Sequence, residues 1–189
     1  MDPLVYLREL WQPTLLAAVI CFVTGVVLHV ILPLHQKDWT GMPGEEGVLE
    51  AMRKAGIGPG QYRFPWCDDI RDMKRPEYQQ KWSAGPAGVL VVRPRGKFAM
   101  GTMMIQMAFY HLVVTGLVAY LASRTIERGA DYLAVFRVTG TAAVMAYALG
   151  QIPQAIWYRF RWSFTFRTIG DGVLWGLVTA GVFGWLWPR

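Results

Sequence analysis

The chain has 189 residues, of which 53% are hydrophobic and only 17% charged, against about 25% charged in a typical soluble domain. Mean hydropathy is +0.26, and the net charge of +6 is carried by bases that flank apolar runs. That balance argues against an ordinary water-soluble domain. With no basic helix or aromatic–basic motif, it points to anionic lipid headgroups as the partner, and to no nucleic acid.

Residues 1–12 read as a short interfacial lead anchored by Tyr6, Arg8 and Trp11. No Asp, Glu, Lys or Arg occurs from Leu10 to Gln36, so a first spanning helix is expected at about 13–33, with proline at each limit. This run is too long for a signal-peptide core, and it is read as a retained span.

Residues 34–98 are expected to form a soluble loop subdomain with small α/β character. Gly44–Ala55 patterns as an amphipathic helix, and Gly56 with Pro59-Gly60 ends it. Gln61–Pro65 suits a short strand, and Asp68–Trp82 is charged and partly helical. Val89–Val92 is the best strand signal in the chain.

The second span is expected at 99–123. It lies in the uncharged stretch between Lys97 and Arg124, long enough to cross the roughly 20 apolar residues of a bilayer core. A tight charged turn leads to a third span at 132–155, with Arg137 close enough to its end to snorkel. Aromatics at 160, 162, 164 and 166 alternate with polar residues. That period of two predicts a strand in the third loop, pairing with or packing on strands of the first. The fourth span is expected at 169–187. Gly172, Gly176, Ala180 and Gly184 share one of its faces, a surface that lets another helix come close. The fold class expected is therefore an all-α membrane protein: a four-transmembrane-helix bundle with a small α/β extramembrane region from the first loop, extended by the third-loop strand. The fourth-helix face predicts a homo-oligomer or larger membrane complex.

The first and third loops carry fourteen of the nineteen Lys and Arg residues. A loop of that size translocates largely regardless of charge, so the reading adopted is both termini in the cytoplasm. Cys21 lies in an apolar run and Cys67 in a polar loop, which argues against a bond between them. The absence of C-x-x-C argues against a thiol–disulfide oxidoreductase.

All three histidines lie in or beside spans. Met100, Met104, Met107 and His111 fall on one helical face. Antiparallel packing would set Met103 and Met104 at the depth of His29. It would set His111 with Cys21, Tyr147 and Thr179 near the midplane. His29, Met103, Met104, Met107 and His111 are the candidate cofactor-binding residues, a soft set suited to Cu(I) or, as a His/Met pair, to haem. The plainer reading is that the methionines fill a helix interface and His111 hydrogen-bonds to Tyr, Thr or a carbonyl. Arg159, Arg161 and Arg167 are candidate lipid or anion contacts, or simply interfacial anchors. Asp171 reads as a carboxylate opening the fourth helix, with a proton relay as the alternative. Asp68, Asp69 and Asp72 read as a solvated helix start, with a divalent cation or acid–base pair as the alternative.

Glu46-Gly47-Val48-Leu49, then Gly60-Gln61-Tyr62-Arg63-Phe64-Pro65, then Gly85-Pro86-Ala87-Gly88-Val89-Leu90, followed by three spans, resembles a family of small uncharacterised bacterial four-helix membrane proteins. The likeness runs from about His29 to the end and implies a bacterial cell (inner) membrane, with no activity attached. The layout is also similar to claudin-like tetraspanning proteins, without their paired loop cysteines.

There is no serine–histidine–acid arrangement, phosphate-cradling glycine loop or zinc spacing. Three functions remain: a non-enzymatic accessory or scaffold subunit, a metal- or haem-binding redox protein using His29, His111 and the methionines, and a small oligomeric transporter or channel.

Overall fold

The computed structural model describes residues 4–189, and the chain is mostly helical. It divides into two units: the chain up to Trp39 with Ala99–Arg189, and Thr40–Phe98.

In the first unit, α1 (Trp11–Val26) continues into one π turn, Val27–Ile31, and then a 3-10 turn, Pro33–His35. Leu32 N–H bonds to the Val27 carbonyl at 2.8 Å, five residues back, which is the wide register of a π turn. In the second unit come α2 (Glu45–Lys54), β1 (Gly60–Phe64), α3 (Pro76–Ala84) and β2 (Gly88–Val92). The first unit then resumes with α4 (Met100–Thr125), α5 (Tyr132–Ala148), α6 (Ile152–Tyr158) and α7 (Trp162–Trp185).

Three stretches are helices long and apolar enough to cross a membrane: Leu7–Ile31, Met100–Thr125 and Tyr132–Tyr158, with mean hydropathies of 2.5, 1.6 and 1.4. The third is broken at Leu149–Gln151, where Pro153 opens α6; proline lacks the N–H that a continuous helix needs. The stretch expected as a fourth span lies in α7, which is 24 residues long but diluted by glycine, threonine and Asp171, and it is not among these three.

That dilution has a structural use. A Cβ added to Gly172 would lie 2.8 Å from the backbone of Tyr147 and Ala148, and one on Gly140 would lie 2.9 Å from Ala180 Cβ. One on Gly176 would collide with the Val144 side chain, and one on Gly184 would lie 2.7 Å from the Tyr132 ring. The small-residue face expected to receive another helix thus receives α5 of the same chain, at backbone contact. The core gathers Ala17, Cys21, Val114, Val118, Val135, Tyr147, Trp175 and Phe183. At one end Trp187 donates to the Glu127 carbonyl at 2.9 Å, and Arg128 pairs with Glu9 at 2.7 Å.

The third-loop strand is not formed. Residues 162–166 are the start of α7, and the sheet among the described residues has two strands, β1 and β2. Alternate aromatics also stack at i,i+4 on a helix. Trp162 meets Phe166 in this way at 5.6 Å between ring centroids, and Phe160, just before the helix, meets Phe164 at 5.7 Å. The last helix therefore begins seven residues before the expected 169.

In the second unit, β1 and β2 pair antiparallel from Gly60↔Val92 to Phe64↔Gly88. Gly44 (φ 65°) precedes α2 and Gly56 (φ 68°) follows it, left-handed positions that suit glycine. Pro76 opens α3, as proline suits a first helical turn.

Candidate metal centre

The irregular exit of the first long helix builds the site. In an unbroken α-helix, residues six apart point to different faces. The π turn carrying His29 and the 3-10 turn ending at His35 instead stack the two imidazoles, with centroids 4.0 Å apart and planes 18° apart. Both Nε2 atoms face Asp171 on α7. Asp171 Oδ2 is 3.2 Å from His29 Nε2 and 3.1 Å from His35 Nε2, and the three donor atoms lie within 4.8 Å of one another.

His35 is fixed from behind. Its Nδ1 lies 2.7 Å from Asp38 Oδ2. The Asp38 carboxylate also pairs with Arg167, and its backbone carbonyl accepts from Arg161 at 3.4 Å. With Nδ1 turned to Asp38, Nε2 is the nitrogen that His35 presents to Asp171. It faces an Asp171 oxygen that has no aligned hydrogen bond among the described residues. The side chains of Asp38, Asp171 and His35 are 1%, 10% and 12% exposed, and His29 is 41% exposed. A carboxylate oxygen so little exposed calls for a cation beside it: a metal ion held by both imidazoles, or a proton on one of them.

The two carboxylate–imidazole spacings, 3.2 and 3.1 Å, match those between ligands of one metal ion, and the stacked rings must turn for both in-plane lone pairs to converge on it. Metal–ligand bonds of about 2.0–2.1 Å place neighbouring donors about 2.9–3.4 Å apart. A histidine ligand whose other nitrogen donates to a carboxylate is the usual support of such a site.

Sequence reasoning did not select His35 and gave Asp171 a different place. Because α7 starts at Trp162, Asp171 lies inside the helix, away from the dipole of its first turn. The available signal was the pair of histidines on either side of Pro33 at the exit of an uncharged run.

The residues singled out from the sequence separate into three places. His29, Met104 and Met107 line one groove together with Phe22, Gly25, Val26 and Val30; Met103 is half-buried on the next position of α4. His111 is fully buried elsewhere. Its Nδ1 lies 3.3 Å from the Tyr147 hydroxyl, and its ring meets Trp175 edge-on at 4.9 Å. Cys21 faces Thr179 at 3.6 Å at the same level. The helix depths expected from the sequence thus place these neighbours together, but His111 is not beside His29 in one site.

Of the arginines, Arg161 and Arg167 contact Asp38, while Arg159 is exposed with φ 59°. The second-unit aspartates are partnered on the surface. Asp68 accepts from Trp66, Asp72 pairs with Arg75, and the Arg71 side chain holds the Asp69 carboxyl below its ordinary range.

Comparison with known proteins finds no matching family model, no matching curated protein and no matching solved structure. The site is therefore read from its own geometry.

Proposed function

We propose that this chain is a multi-pass membrane protein of four spanning helices that binds one divalent transition-metal ion through His29, His35 and Asp171. The carrying observation is that Asp171 Oδ2 lies 3.1 Å from His35 Nε2 and 3.2 Å from His29 Nε2, with His35 Nδ1 already turned to Asp38. Two imidazoles and one carboxylate are borderline donors that suit Zn²⁺, Fe²⁺ and their neighbours. Three protein ligands leave a coordination position for water or a ligand oxygen, as open zinc sites do.

The fourth span in this reading is α7. Its 24 residues reach about 36 Å, and its single carboxylate, Asp171, finds partners at the exit of the first span. Four crossings put both termini on one side, and the bilayer is the first partner. A bacterial inner membrane accords with the resemblance noted from the loop motifs, and cytoplasmic termini with the size of the first loop. The accessory and channel readings draw no comparable support from a cluster of side chains.

The test is Zn²⁺ titration of the detergent-purified chain, with bound metal measured after dialysis. One ion per chain is expected. His35→Ala and Asp171→Asn should each weaken binding at least 100-fold, and Cys67→Ser should leave it unchanged. Equal binding by wild type and both variants, or none by wild type, contradicts the proposal. In the latter case His35 holds a proton instead.

A further inference from the structure

The hairpin of the second unit is a ribbon with two open sides. Among the described residues β1 and β2 have no backbone partner beyond each other. A two-stranded ribbon is marginal in water, and a bare strand edge is a template for another strand. The two edges differ. β1 carries Gln61 and Arg63, and a charged side chain guards an edge. β2 is Gly-Val-Leu-Val-Val, with no polar side chain. Val89 and Val91 share one of its faces and are 41% and 65% exposed. The surrounding sequence is symmetric about Leu90, with Pro86 four residues before it and Pro94 four residues after. Proline has no N–H to give to a ladder, so these two bound the segment able to pair.

We infer that β2 pairs antiparallel with β2 of a second copy of this chain, about a twofold axis at Leu90, giving a four-stranded sheet in the order β1–β2–β2–β1. In this register Leu90 faces its own copy, Val89 faces Val91 and Gly88 faces Val92 across the axis. Pro86 falls opposite Pro94, where neither is asked for a ladder bond. Arg93 falls opposite Ala87, so no like charges meet, whereas parallel pairing in register would set Arg93 against Arg93. Gln61 pairs with Val91 and Arg63 with Val89 within each hairpin. One face of the joined sheet therefore has four valines at its centre and polar rows outside them, an apolar core within a polar rim. Cross-strand pairs of β-branched residues are favourable ones, and a self-complementary patch is what a twofold dimer needs. The glycine face of α7 plays no part, because α5 fills it.

The test is made on the full chain in lipid vesicles, in a Cys67→Ser background whose remaining thiol, Cys21, is buried. Side chains directly opposite on paired strands have Cβ atoms about 4.5–5.5 Å apart, close to the span of a disulfide. Leu90→Cys should therefore link two chains under mild oxidation about tenfold or more above Val92→Cys, whose twin lies about 13 Å along the ladder. In mild detergent, light scattering should find wild type and Val91→Ile dimeric and Val91→Lys monomeric. A monomeric wild type, equal linking at positions 90 and 92, or a dimer that survives Val91→Lys overturns the pairing. A monomer whose Val91→Cys thiol is shielded from a water-soluble reagent in vesicles but not in detergent also overturns it, and gives the valine patch to the lipid surface.

Discussion

His35 is held in place by the nitrogen that does not face Asp171. Its Nδ1 lies 2.7 Å from Asp38, and Asp38 is anchored in turn by Arg167 and Arg161. Asp38→Asn keeps the shape of that support but ends its ability to demand a proton on Nδ1, because an amide can donate as well as accept. We expect this variant to weaken Zn²⁺ binding by about 10–100-fold, the usual effect of removing a supporting carboxylate behind a metal ligand. Competition with a zinc chelator measures it, and wild-type affinity would show that Asp38 does not set the tautomer. Little of this was legible in the sequence. His29 stands out because it interrupts an apolar run, and Arg161 and Arg167 stand out as bases among aromatics. Nothing in the spacing says that the arginines' anion is Asp38 of the same chain.

At the scale of elements, the deciding features are one wide turn and one glycine face. The π turn at Val27–Ile31 reorients His29 so that it stacks on His35; apolar periodicity does not reveal such a turn, since the residues around it are uniformly Val, Leu and Ile. The glycine face of α7 is visible as a spacing, but the spacing does not say which helix fills it. In the structure α5 does: a Cβ added to Gly176 would lie 3.0 Å from the Val144 backbone nitrogen. Gly176→Leu should therefore destabilise the bundle by about 1–3 kcal/mol, the range for an overpacked contact. Gly101, where an added Cβ meets nothing within 4 Å, gives the control: Gly101→Leu should not lower stability. Melting in mild detergent compares the two, and equal melting temperatures would contradict the packing account. The third-loop strand failed at this scale because aromatics two apart satisfy both a strand alternation and an i,i+4 helical stack.

Over the whole molecule, the apolar runs announced the long helices, and the amphipathic helix and two strands of the first loop fell close to where turn residues placed them. What a linear sequence does not display is that the exit of the first helix meets the interior of the last. His29 and His35 come from one end of the chain and Asp171 from the other, so a metal bound there ties the first and last long helices together. The account depends on that junction. X-ray absorption on the zinc-loaded chain tests it most directly. We predict a first shell of nitrogen and oxygen at about 2.0–2.1 Å, with outer scattering from two imidazoles in wild type and from one in His35→Ala. A shell containing sulfur, or one whose imidazole scattering is unchanged by loss of His35, would contradict the account.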